Sequence, residues 1–217
     1  MLTYPNDTSH FSEAERTCLE SLDTPRRIQD YLDEIAYAGE PINRSPRRVI
    51  QERKAHCLDG GLLAALALRR LGFPALIVDV LPDPGRDDDH ILAIFKANGC
   101  LGAIAKSNYV GLRYRDPVYR SLRELIMSYF EVFFSINGEK TLRTYTRPLN
   151  LKIFDPLGWP WNDAAADAIE QHLKRRKTIP LLNPEQIASL EFVDARSYEA
   201  GMLGTNLEGV FRPEPKT

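Results

Sequence analysis

Cys57 opens an apolar stretch of helical spacing that runs to about Leu71. A thiol at a helix N-terminus faces unpaired backbone N–H groups and the positive end of the helix dipole, and both favour the thiolate. The same N–H groups can stabilise the oxyanion formed when sulfur attacks a carbonyl. His90 follows Asp87, Asp88 and Asp89 and opens an apolar stretch of strand character, so its imidazole sits between a loop and the core. There it can take the Cys57 proton and return it to a leaving amine. The three aspartates read first as a solvated loop; charges so close to the ring would also raise the His90 pKa and help to hold a thiolate–imidazolium pair. The plainer alternative is that Cys57 is a small buried hydrophobe, as free cysteine commonly is, and that His90 is a surface residue at a strand start.

Other residues offer less chemistry. Cys18 and Cys100 have no CxxC partner, and Cys57, Cys100 and His90 do not have zinc-ligand spacing, so no metal is expected. No phosphate-cradling glycine motif is present, and no cofactor is expected. Tyr109, Tyr114 and Tyr119 interleave with Arg113, Arg115 and Arg120. This reads as helix-face packing and surface pairing rather than a nucleic-acid strip. Trp159 and Trp161 flank Pro160 and are expected to pin a C-terminal lobe against the core.

Several elements must position the cysteine and the histidine. Glu13 to Leu22 reads as a short helix, and Thr24-Pro25 and Ser45-Pro46 are helix starts, each a cap followed by proline. The Cys57 helix is apolar almost all round, the pattern of a helix buried on most sides. Gly60, Gly61, Ala64, Ala65 and Ala67 would let neighbours approach its backbone, and Gly72 and Pro74 end it. Ala75 to Val80 reads as a strand, Pro82 to Asp89 as a loop and His90 to Lys96 as the next strand. Asn98-Gly99 is a hairpin turn, with Leu101 to Ser107 returning antiparallel. A long helix is expected over Pro117 to Phe134, extended chain over Glu139 to Phe154, and helices over Asp163 to Lys177 and Pro184 to Phe192. The last dozen residues read as frayed.

The chain has 217 residues and a net charge of -2, with no long-range pull toward nucleic acid or an anionic membrane. No apolar run is long enough to span a bilayer, and Met1 to Asp7 lacks the basic and apolar parts of a secretory signal. Three cysteines without scaffold spacing make the cytoplasm the simplest compartment. The sequence carries no mark of an oligomeric state.

The stretch His56-Cys57-Leu58-Asp59-Gly60-Gly61-Leu62, followed by Arg69-Arg70-Leu71-Gly72-Phe73-Pro74-Ala75, resembles the core motif of transglutaminase-like proteins. In that family a cysteine opens a helix that ends in a Leu-Gly-Ile-Pro-Ala type segment. Strands carrying histidine and then aspartate follow. Ser45-Pro46 and Asp89-His90-Ile91-Leu92-Ala93 fit the same layout, and the likeness covers about residues 25–108. It implies an α+β, papain-like core with a central helix opened by Cys57 on a small antiparallel sheet. On this view residues 1–217 are one domain, with its core at about 25–155, extra helices at both ends and a C-terminal helical extension at about 156–217. It also implies a Cys-His-Asp triad that acts on amides through a thioester, with Cys57 as nucleophile and His90 as base.

The third member departs from the pattern. The strand after the hairpin carries no carboxylate, and the candidates to orient the imidazole are Asn108, then Ser107, then the more distant Asp116. Neighbours on a strand point to opposite faces, so at most one of Ser107 and Asn108 can serve. Gln51, six residues before Cys57, is placed as an oxyanion donor would be, or it lies on a helix surface. Two functions are therefore expected to compete. One is a thiol-dependent amide hydrolase or acyl transferase acting on a peptide or protein amide. The other is a catalytically degenerate module that binds peptide or protein without turnover.

Overall fold

The structure is a computed structural model that describes residues 8–213. The reading of Met1–Asp7 as lacking a secretory signal lies outside the described residues, as do residues 214–217. Short polar side chains start the first helices. Ser12 forms a capping box with Glu15 ahead of α1 (Glu13–Ser21), and Thr24 accepts from the Arg27 N–H ahead of α2 (Pro25–Glu34). Ser45 does the same for α3 (Pro46–Glu52). Two short parallel strands, β1 (Ala36–Tyr37) and β2 (Lys54–Ala55), flank α3 in the chain and lead to α4 (Cys57–Arg70).

Helix α4 is the centre of the molecule, buried from Leu58 to Leu68 and ended by Gly72 at φ +90. Its glycines let the sheet in. A Cβ on Gly61 would lie 2.6 Å from Ile91 Cγ2, and one on Gly60 would lie 2.2 Å from Lys106 Cβ.

The main sheet contains β3 (Leu76–Pro82), β4 (His90–Ala97), β5 (Cys100–Ile104), β6 (Arg115–Tyr119), β7 (Leu142–Thr146), β8 (Leu149–Asn150) and β9 (Thr178–Pro180). The order is β6-β5-β4-β3-β7-β9, with β8 also on β3 and all pairs antiparallel. The expected β3-β4-β5 core is present, and its hairpin turns through Asn98 at φ 51 and Gly99 at φ 81. Each strand of that core divides its side chains by parity. Ile77, Ile91, Ala93, Phe95 and Ile104 meet the leucines of α4. Val78, Val80, Leu92, Ile94 and Ala103 meet Leu125 and Ile126 of α5 (Leu122–Met127), with Tyr129 and Phe133. The protein is thus a mixed α+β fold in which both sheet faces are covered.

Four expectations are corrected. The long helix over Pro117 to Phe134 is instead β6, α5 and a 3-10 turn at Phe130–Val132. Pro117 is tolerated because β6 is an edge strand. The stretch from Glu139 to Phe154 is extended only through β7 and β8, then enters a 3-10 segment at Leu151–Leu157. The final helices are shorter than expected, α6 (Asp163–Leu173) and α7 (Pro184–Ala188), and α8 (Ala195–Met202) was not anticipated. The described part of the last dozen residues, 206–213, is not frayed: Leu207–Gly209 forms a 3-10 turn and Val210 is buried. Among the described residues no helix is long and apolar enough to cross a membrane.

Candidate functional site

The N-terminus of α4 is fixed by a buried ionic network. Arg44, only 1% exposed, donates from its backbone N–H to Asp59 Oδ1 at 2.7 Å and from its guanidinium to Asp59 Oδ2 at 3.3 Å. The same guanidinium reaches Glu52 at 2.7 Å and pairs with Glu40. Asp59 also accepts from the His56 N–H at 3.3 Å, which closes a capping box with His56 as N-cap. Burial pushes the Asp59 carboxyl up to about 7, against the pull of those bonds. His56 Nδ1 accepts from the Leu58 N–H at 3.2 Å, and burial holds this imidazole down at about 4 and therefore neutral.

Cys57 follows as the first helical residue, half-buried at the rim of a cavity of about 250 Å³. Tyr37, His56, Asp88, Asp89 and Glu170 share that rim. Cys57 Sγ lies 3.8 Å from the carbonyl oxygen of Asp89, against the backbone that enters β4. Burial raises its thiol well above the ordinary range, and the Asp89 and Asp88 charges raise it further. Here desolvation outweighs the helix terminus, and the sulfur stays protonated near neutral pH.

His90 does not meet that sulfur. It pairs in register with Val80 and shares the sheet face of Val80 and Leu92, whereas its neighbour Ile91 is the residue pressed on Gly61 of α4. Its ring lies 6.5 Å from that of Phe133, edge-on, and its Nε2 lies 2.7 Å from the Leu112 carbonyl oxygen. That contact makes Nε2 the protonated nitrogen, donating to the carbonyl. The residue is 5% exposed, and burial pushes the imidazole down to about 4. A neutral thiol and a neutral imidazole on opposite faces of a sheet are not a thiolate–imidazolium pair. The expected pairing of Cys57 with His90 is therefore corrected, and its cause is the pleat.

The expected orienting partners have other work. Asn108 Nδ2 donates to the carbonyls of Asn206 at 2.8 Å and Gly209 at 3.2 Å, and its Oδ1 accepts from the Asn206 N–H at 2.9 Å. Ser107 Oγ accepts from the Tyr109 N–H at 2.9 Å. Both line a cavity of about 30 Å³ with His90, but the group bonded to the imidazole is the Leu112 carbonyl. Asp116 lies in edge strand β6. Gln51 donates to Glu15 at 2.6 Å and ties α3 to α1, so it is no oxyanion donor. Trp159 is fully buried, with Nε1 bonded to Asp155 at 2.9 Å, and Trp161 stacks on His10.

Sequence reasoning missed Asp79. It is 1% exposed, its Oδ1 has no hydrogen-bond partner, and it pairs in register with Ile91, so it lies on the α4 face of the sheet. Burial, then the Asp89 charge, raises its pKa. A lone carboxylate inside the apolar run Ala75 to Val80 was the available signal. Among the described residues no group of three or more His, Cys, Asp or Glu could hold a metal ion.

The arrangement offers a shaped, acid-rimmed cavity and a protonated thiol on the opposite sheet face from the His90 imidazole. In comparison with known proteins, the chain matches no family model, and no curated protein matches its sequence.

Proposed function

We propose that this chain is a transglutaminase-like module that binds a peptide or protein segment in the cleft at Cys57 without turning it over. The observation that carries this reading is the separation of Cys57 and His90 onto opposite faces of the sheet. Side-chain rotation does not carry an imidazole through a hydrogen-bonded strand, so the pair stays apart while β3, β4 and β5 stay paired. The cavity beside Cys57, about 250 Å³, has room for part of a ligand. The free cysteines Cys18, Cys57 and Cys100 are in keeping with a cytoplasmic location.

A thiol-dependent amide hydrolase or acyl transferase is the second reading. It is favoured by the placement of Cys57 at the first position of α4 beside a cavity of about 250 Å³. The two separate by experiment. Iodoacetamide labelling of the folded protein at neutral pH should modify Cys57 no faster than Cys18 or Cys100, and Cys57→Ala should leave peptide binding intact. Preferential labelling of Cys57, with loss of an amide-cleaving activity in a folded Cys57→Ala protein, would establish the hydrolase instead.

A further inference from the structure

The chain beyond α8 reaches the edge of the Cys57 cleft at Gly209. Gly209 lines both the cavity at Cys57 and the smaller one at His90. There, a Cβ on Gly209 would lie 3.0 Å from the Tyr37 ring, and a Cβ on Gly39 would lie 3.1 Å from Gly209 Cα. Two glycines thus let one segment lie flat on the other, directly beside the cleft.

The attachment of this segment is polar and thin. Asn108 holds it through the Asn206 and Gly209 carbonyls and the Asn206 N–H, and Thr205 Oγ1 donates to the Asn108 carbonyl at 3.2 Å. Neither large apolar cluster includes a residue from 203–213. Leu203 is 75% exposed and Leu207 57% exposed, and Val210 is the segment's one buried hydrophobic residue, so the segment buries little apolar surface for its length. Segments with few buried apolar contacts open locally at far lower cost than the core.

We propose that residues 203–213 are a strap that closes the Cys57 cleft, with Asn108 as its latch, and that release of the strap admits the peptide. This rests on the binding reading above and adds its regulation. Opening moves Gly209 off Tyr37 and leaves α4 and the sheet unchanged, since the strap contributes to neither.

The test uses the full chain and reads access to Cys57. Asn108→Ala removes the latch, and Gly209→Val drives a side chain into Tyr37 and Gly39. Iodoacetamide labelling of Cys57 should rise about ten-fold in each, the scale set in Asn108→Ala by losing modest hydrogen bonds and in Gly209→Val by overpacking against Tyr37. Rates at Cys18 and Cys100 should not change, and hydrogen exchange should speed only over residues 203–211. Labelling of Cys57 within about two-fold of the parent in both variants, with circular dichroism unchanged, would overturn the strap, because access would not depend on local opening there. Should Asn108→Ala lose its fold, Gly209→Val decides alone. Labelling does not depend on whether the bound peptide is cleaved, so failure of the strap and failure of the binding reading are read separately.

Discussion

The sulfur of Cys57 lies 3.8 Å from the carbonyl oxygen of Asp89, one residue short of the imidazole expected to receive its proton. The helix terminus thus meets the backbone at the start of β4, flanked by carboxylates that disfavour a thiolate. Burial first, and those charges second, set what the thiol does with pH.

Alkylation of Cys57 should follow a midpoint above the ordinary thiol value of about 8.5. Asp89→Asn removes the charge that ranks next after burial, and should lower the midpoint and speed labelling at pH 8. His90→Ala should leave the midpoint where it is. A clear upward shift in His90→Ala would mean that the imidazole supports the thiolate after all. Rates come from mass spectrometry across pH 6 to 10.

His90 should make the folded protein sensitive to mild acid. Its native pKa is depressed to about 4 from 6.5, so between those values the unfolded chain takes up a proton that the native imidazole refuses. The contribution is whole above pH 6.5 and is lost as pH falls toward 4. Relative to His90→Gln, the parent should lose about 3 kcal/mol of stability over that window. His56 titrates in the same direction and Asp59 in the opposite one, and the difference between the two proteins cancels both. Urea unfolding at a series of pH values gives the answer, and parallel stability curves would refute it.

Arg44→Met should cost about 3–5 kcal/mol, because it strands Asp59 in the interior beside the Cys57 helix. Arg44→Met combined with Asp59→Asn should recover part of that loss, since the stranded charge goes. Denaturant midpoints of the parent and the two variants check both statements. A loss under about 1 kcal/mol would mean that the network behaves as a surface pair.

Gly60→Ala should destabilise the fold although alanine is the better helix former by about 1 kcal/mol. The added Cβ meets Lys106 Cβ at 2.2 Å, and Lys106 is held by its Nζ donating to the carbonyls of Leu32 at 2.7 Å and Ile35 at 2.6 Å. A net loss of about 1–3 kcal/mol is expected from overpacking. A higher thermal midpoint in Gly60→Ala would contradict the close contact of α4 with the chain that follows β5.

Much of the local structure was legible from residue types. Thr24-Pro25 and Ser45-Pro46 start helices, Gly72 ends α4 and Asn98-Gly99 turns the β4-β5 hairpin, because each acts through its own backbone geometry or a bond to a near neighbour. The buried character of α4 was equally plain, since small and apolar residues occupy all of its sides. The direction of His90 was not. Strand β4 is buried on both faces from His90 to Phe95, so no polar alternation marks which parity faces the helix, and a shift of one residue exchanges the faces. Only the register of β4 on β3, together with Ile91 against Gly61, sets that parity. The Leu112 carbonyl behind the imidazole and the Asn108 latch on the chain after α8 were hidden for a related reason. Each joins segments distant in sequence through backbone groups, which every residue carries and which therefore leave no mark in the order of side chains.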